Sequence, residues 1–204
     1  MCRAFSFFHR PDNGDIVVYD ITSHSGTSDH LKLNLKLWRE GHWIPQTDEL
    51  ECRILADDHA TSVECAERMR TRFASVWDFY AWAASQEVIS SDNLDLRGCD
   101  LSKVKELTFP ESIGGSLDLR GCDLSKVKAW PKSIGGSLDL SGCDLSKVKA
   151  WPKSIGGWLY LSGCDLIKVK ELTFPESIGG SLDLRGCDLS KVKVNIPKNI
   201  RVIK

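Results

Sequence analysis

The sequence predicts an α+β N-terminal domain, over about residues 1–90, capping a short β-solenoid over about 91–204, with one parallel strand per 21–23-residue repeat. Three observations predict it. A Leu-x-Leu step recurs as Leu94-Asp-Leu, Leu117-Asp-Leu, Leu138-Asp-Leu, Leu159-Tyr-Leu and Leu182-Asp-Leu, spaced by 23, 21, 21 and 23 residues. A fixed period in the low twenties marks units that bury their apolar edges only by stacking on one another. The charges split at Asp92: the first 92 residues carry 9 Lys and Arg against 15 Asp and Glu, net −6, and the remainder 18 against 13, net +5. Helical periodicity occurs only before the repeats begin.

In the first half, Ala4, Phe5, Phe7 and Phe8 favour one strand and Ile16 to Tyr19 another. Pro11-Asp12-Asn13-Gly14 supplies the turn, since Asn-Gly adopts positive φ cheaply, so a β-hairpin is expected. Ser23 to Asp29 is rich in turn and capping residues, and the strict alternation of Leu31, Leu33, Leu35 and Leu37 predicts a strand after it. Glu49 to Leu55 reads as a further strand. An amphipathic helix is predicted over about 61–85, with Ala66, Met69, Phe73, Trp77 and Tyr80 on one face and Glu67, Arg68, Arg70, Arg72 and Asp78 on the other. Ser75-x-x-Asp78 is a capping pattern at which that helix restarts. The stripe Phe73, Trp77, Tyr80 is assigned to packing against the hairpin, and the domain as a whole to covering the open end of the solenoid.

The repeats align as Gly-Gly-Ser-Leu-Asp-Leu-(Arg/Ser)-Gly-Cys-Asp-Leu-Ser-Lys-Val-Lys, then Ala-Trp-Pro or Glu-Leu-Thr-Phe-Pro, then Ser-Ile. Strand alternation turns the leucines inward and the intervening residues outward. One outward column is Asn93, Ser116, Ser137, Trp158, Ser181; the next is Asp95, Asp118, Asp139, Tyr160, Asp183; the third is Arg97, Arg120, Ser141, Ser162, Arg185. Stacked aspartates repel, and the neighbouring arginines are the expected offset. Trp130 and Trp151 fill the slot of Phe109 and Phe174 and are read as core. Cys99, Cys122, Cys143, Cys164 and Cys187 share one slot and read as a ladder of free, buried thiols in a reducing compartment.

The pattern Leu-x-Leu-x-x-Cys-x-Leu, followed by an apolar-Pro step and an isoleucine, resembles the leucine-rich-repeat family in its bacterial and phage forms, over about 94–203. The resemblance implies one short parallel strand per turn at Leu-x-Leu, with the Cys slot turning the backbone beneath it. The first unit departs from it in carrying Asp92-Asn93 in place of Gly-Gly. The last breaks into Val194-Asn195-Ile196-Pro197 before a final partial strand at Ile200 to Ile203.

The fourth repeat places Trp158 and Tyr160 where the others carry Ser and Asp. Large aromatics on a rigid polar sheet have the composition of an interaction hot spot. The function expected is non-enzymatic recognition of a protein partner through the strand face, with Trp158 and Tyr160 as anchors and Asp139, Asp183, Arg120 and Arg185 as polar contacts. Such a design suits a phage or mobile-element protein that sequesters a host factor. A second reading is nucleic-acid binding along the paired lysines 103/105, 126/128, 147/149, 168/170 and 191/193, although acidic residues interrupt them. A third is an enzyme using Cys2 as an N-terminal nucleophile assisted by His24 and His30. No Cys-x-x-Cys or His-x-x-x-His spacing suggests zinc, and no cofactor is expected. No apolar run approaches the roughly 20 residues of a membrane span, and a soluble cytoplasmic protein is expected.

Overall fold

A computed structural model describes residues 5–18, 37–54, 57, 60–85, 93–104, 106–148, 150–166, 168–169 and 171–204. The chain divides into two compact units, residues 1–89 and 90–204.

Among the described residues the first unit is a five-stranded antiparallel sheet and two helices. The expected hairpin forms from β1 (Phe5–His9) and β2 (Ile16–Val17), with Phe8 opposite Val17. Its turn is closed by the Arg10 N–H to the Asp15 carbonyl at 2.8 Å, with Gly14 at φ 77°. β3 (Arg39–Ile44) lies between β1 and β4 (Glu49–Ile54), and β5 (Ala60–Thr61) forms the far edge. β3 has little strand-like alternation in its Arg-Glu-Gly-His-Trp-Ile sequence. Its centre is set instead by packing: a Cβ on Gly41 would lie 2.0 Å from the ring of Phe7 on the neighbouring strand. The alternating leucines 31, 33 and 35, and the turn before them, lie outside the described residues.

The single helix expected over 61–85 is two. α1 spans Val63–Arg72, capped by the Ser62 hydroxyl, which accepts from the Cys65 N–H; α2 spans Val76–Ser85. Phe73 is extended at φ −129°, which ends α1, and the Ser75 hydroxyl accepts from the Asp78 N–H, which restarts the helix where the capping pattern places it. Asp48, at φ 58° in the β3–β4 turn, also fixes α2: one carboxylate oxygen accepts from both the Val76 N–H and the Trp43 indole N–H, each at 2.8 Å. The aromatic stripe packs as assigned, with Phe5 against Tyr80 at 5.1 Å and against Trp77 at 6.2 Å between ring centroids. Phe79 joins Phe7, Trp43 and Phe73 in the same core.

The second unit is a β-solenoid of about five turns. The Leu-x-Leu segments form a parallel six-stranded sheet running from Leu94–Asp95 to Arg201–Ile203, in register, so that Leu117, Leu138, Leu159 and Leu182 stack in one column. One strand per turn is too few. The Ser-Ile pairs (Ser112–Ile113, Ser133–Ile134, Ser154–Ile155, Ser177–Ile178) make a second parallel sheet, and short strands pair also at Leu107–Thr108 and Glu171–Leu172. A two-residue strand between a proline step and Gly-Gly carries no alternation of its own; its register comes from the turns beside it. The glycines that follow are stacked so closely that a Cβ on Gly135 would lie 2.1 Å from the Gly114 carbonyl oxygen.

The Asp-Leu-Ser-Lys segments form short 3-10 turns at Leu101–Lys103, Leu124–Lys126 and Leu145–Lys147, each capped by its aspartate accepting the serine N–H. The leucines of the first sheet and Ile113, Ile134 and Ile155 are essentially fully buried. The cysteine ladder forms: all five thiols are free, Cys99, Cys122, Cys143 and Cys164 are buried while Cys187 at the last turn is half-exposed, and each of the last four donates to the carbonyl of a leucine one turn earlier, as Cys143 Sγ does to Leu119 at 3.2 Å. The sulfur thus satisfies a backbone acceptor inside the core, which an aliphatic residue of the same size does not. Among the described residues no helix is long and apolar enough to cross a membrane.

Candidate functional site

The outward columns of the Leu-x-Leu sheet are a connected polar lattice. Arg97 grips Asp95 at 2.6 Å and reaches Asp118 on the next turn at 3.3 Å; Arg120 grips Asp118 at 2.7 Å and reaches Asp139 at 3.4 Å. The cations interleave with the aspartate column and offset its repulsion. The hydrogen bonds that Arg97 donates to Asp95 and Arg120 donates to Asp118 hold the two guanidinium groups above their ordinary pKa. The serine column is engaged as well. Asn93 Oδ1 accepts the Ser116 N–H, Ser116 Oγ the Ser137 N–H, and Ser137 Oγ the Trp158 N–H, at 2.7 to 2.9 Å.

Turn four interrupts both chains. An indole has no oxygen with which to accept the next turn's N–H, so the serine relay stops at Trp158. Tyr160 interrupts the aspartates, and the arginine column around it is reduced to Ser141 and Ser162. Ser141 Oγ donates to Asp139 at 2.6 Å, and Ser162 Oγ donates to Ser141 Oγ at 3.1 Å. Two small side chains therefore flank Tyr160 in the column where the other turns carry Arg97, Arg120 and Arg185. Trp158 and Tyr160 stack on each other, centroids 5.6 Å apart and planes 14° from parallel. Trp158 also leans over the following turn: a Cβ on Gly180 would come 2.4 Å from its Cδ1. Both rings are half-buried rather than projecting freely.

Of the other residues expected at the site, Asp139, Arg120 and Arg185 retain access to solvent, whereas Asp183 is fully buried. Asp183 sits between Tyr160 and Ile203 on the adjacent strands, and Arg185 covers it with bonds of 2.6 and 2.9 Å. That pairing holds its carboxyl below the usual carboxylate range. It serves the sheet and presents no free carboxylate. Strand alternation alone places it outward and does not show that Arg185, two residues on, folds back over it.

On the flank, Lys128 bonds Glu106 at 2.6 Å and Lys193 lies 3.4 Å from Glu171, each acid one turn earlier. Lysines 105, 149 and 170 lie outside the described residues. Two of the amines described are thus already neutralised, which weakens the case for a phosphate track. Trp130 and Trp151 are half-buried, not core; they stack in a ladder with Phe109 and Phe174 at 5.8 to 6.4 Å, because the turns bring equivalent rings into register at the edge of the solenoid.

Cys2, His24 and His30 lie outside the described residues. A different thiol cluster does form in the first unit: Cys65 of α1 lies beside Cys52 of β4 and His9 of β1, and its interactions with them, Cys52 first, hold its thiol below the ordinary value. Cys52 and Cys65 are both buried. Nothing in their sequence spacing announces this cluster, which the antiparallel order of the sheet assembles. Among the described residues no three His, Cys, Asp or Glu side chains are grouped to hold a metal ion.

The fold thus defines a small α+β unit joined in one chain to a parallel β-solenoid. No family model, curated protein or solved structure matches the chain.

Proposed function

We propose that the protein is a non-enzymatic recognition module whose leucine-rich-repeat-like solenoid binds a partner protein through the Leu-x-Leu face, with Trp158 and Tyr160 as anchors. The observation that carries this reading is local: in turn four the polar lattice is replaced by two stacked rings, flanked by Ser141 and Ser162 in place of arginines. Stacked aromatics on a rigid sheet lose little side-chain entropy on binding, and Trp and Tyr dominate the energetics of protein interfaces. Asp139, Arg120 and Arg185 supply a charged rim around the pair. Such a rim steers association and selects partners more than it adds affinity.

The test is affinity purification from the native host, comparing the wild-type chain with a Trp158→Ser/Tyr160→Asp double variant that restores the residues of the other turns. Loss of two hot-spot anchors is expected to lower partner recovery by about tenfold or more. Equal recovery with both chains rules the reading out.

A further inference from the structure

In the first unit, a cavity of about 400 Å³ lies between the β1–β2 turn and α1, its lining including His9, Gly14, Ile16, Arg68, Met69 and Arg72. Two features give it a charge preference. His9 is 3% exposed, and its Nδ1 has no hydrogen-bond partner. Nδ1 is thus a buried polar atom without a partner on a residue that lines the cavity. Such an atom carries a desolvation cost that a ligand able to bond it would relieve.

The second feature is Arg72. Its guanidinium lies 5.3 Å from the ring centroid of Phe73 and 5.0 Å from that of Trp82, and one nitrogen donates to the Gly14 carbonyl at 3.3 Å. Among the described residues no carboxylate pairs with it. The aromatic contacts hold the planar fork while leaving donors unspent, and a held fork matches the geometry of a carboxylate or phosphate. The nearby acids have other partners: Asp12 bonds Arg10, Asp15 bonds Asn13, and Glu64 pairs with Arg68 at 3.2 Å. Ile16 and Met69 add apolar wall.

We propose that this cavity binds the oxyanion group of a small organic molecule, a phosphate monoester or a carboxylate, which accepts from the Arg72 fork and from His9 in the tautomer that carries its proton on Nδ1. The apolar wall takes the adjoining carbon skeleton, and the volume suits a compact ligand. This site is separate in chemistry from the aromatic pair of the solenoid and stands whether or not that pair binds a protein.

The test is calorimetric titration of the full chain with phenyl phosphate, benzoate and the neutral benzamide. The expected result is saturable binding of at least one of the two anions and none of benzamide. The tighter anion identifies the head group. Arg72→Gln, a change at an exposed position, should weaken that binding by about tenfold or more, with Arg72→Lys intermediate. Circular dichroism confirms that both variants remain folded. Absence of saturable anion binding, equal binding of benzamide, or unchanged affinity in folded Arg72→Gln overturns the proposal.

Discussion

The two units bury apolar surface in opposite ways. The first assembles a core of unlike aromatic rings from distant parts of the chain: Phe5 and Phe7 from β1, Trp43 from β3, and Trp77, Phe79 and Tyr80 from α2. The solenoid buries the same leucines and isoleucine against their own counterparts one turn away. In the first unit each core position is unique, and its neighbours are determined by the whole topology. In the second, a position is defined by one turn and repeated, so its neighbours are copies of itself. The comparison also separates two kinds of polar residue. Asp48 in the first unit bridges β3 and α2 through a single oxygen, whereas the aspartates and serines of the solenoid form ladders whose members perform equivalent tasks.

The largest expected effect comes from removing one core side chain in each unit. Phe79→Ala should cost about 3–5 kcal/mol and Leu140→Ala about 2–5 kcal/mol, since both residues are fully buried. Chemical denaturation followed by tryptophan fluorescence and by circular dichroism should show each variant shifting a different part of the unfolding curve. One common transition, displaced alike by both, would break the comparison by showing that the units unfold as one.

Glycines sharpen it. Gly135→Ala drives a Cβ into the Gly114 backbone, which no side-chain rotation relieves, and a loss of about 1–3 kcal/mol is expected. Gly142→Ala meets no atom within 4 Å but holds φ at 73°, a conformation that costs a residue with a Cβ about 1–2 kcal/mol. Denaturation midpoints should rank Gly135→Ala as the more damaging or equal. A reversed order would mean that the stacked glycine corner yields more readily than the turn.

The effect that is smallest near neutral pH, where these thiols stay protonated whether folded or unfolded, concerns the cysteine ladder. Burial pushes Cys122 and Cys164 up to about 12 and Cys143 up to about 11 from an ordinary 9.0. A folded-state pKa above the unfolded one gives stability that is present below the unfolded value and is lost as pH rises through the folded value. The solenoid should therefore weaken progressively above about pH 9 and lose this contribution by about pH 12. In native protein near neutral pH, alkylation read by mass spectrometry should reach half-exposed Cys187 before Cys122, Cys143 and Cys164. Equal labelling of all four would show that the ladder opens locally.

Much of the solenoid is legible without coordinates because its determinants are local and repeated. Leu117, Leu138 and Leu159 announce their own burial by recurrence, and the cysteine slot does the same. The Ser-Ile strands are not announced, since two residues beside Gly-Gly hold no period. In the first unit the hairpin turn and the Ser75-x-x-Asp78 restart are readable from capping and turn chemistry. β3 is not, because Gly41 is there to receive the ring of Phe7, 34 positions earlier in the chain.

The candidate site divides along the same line. Trp158 and Tyr160 stand out as the point where the repeat stops repeating. Their stacking, the lean of Trp158 over Gly180 and the burial of Asp183 all depend on what the neighbouring turns place beside them. By itself, the sequence determined the number of turns, the stacked leucine columns and the turn that differs, because each is a property of spacing along the chain. Only the tertiary structure decided which polar groups remain free and which are spent on a neighbour. It likewise brought His9, Cys52 and Cys65 together, because hydrogen bonds between distant residues depend on register across strands and leave no mark in local sequence.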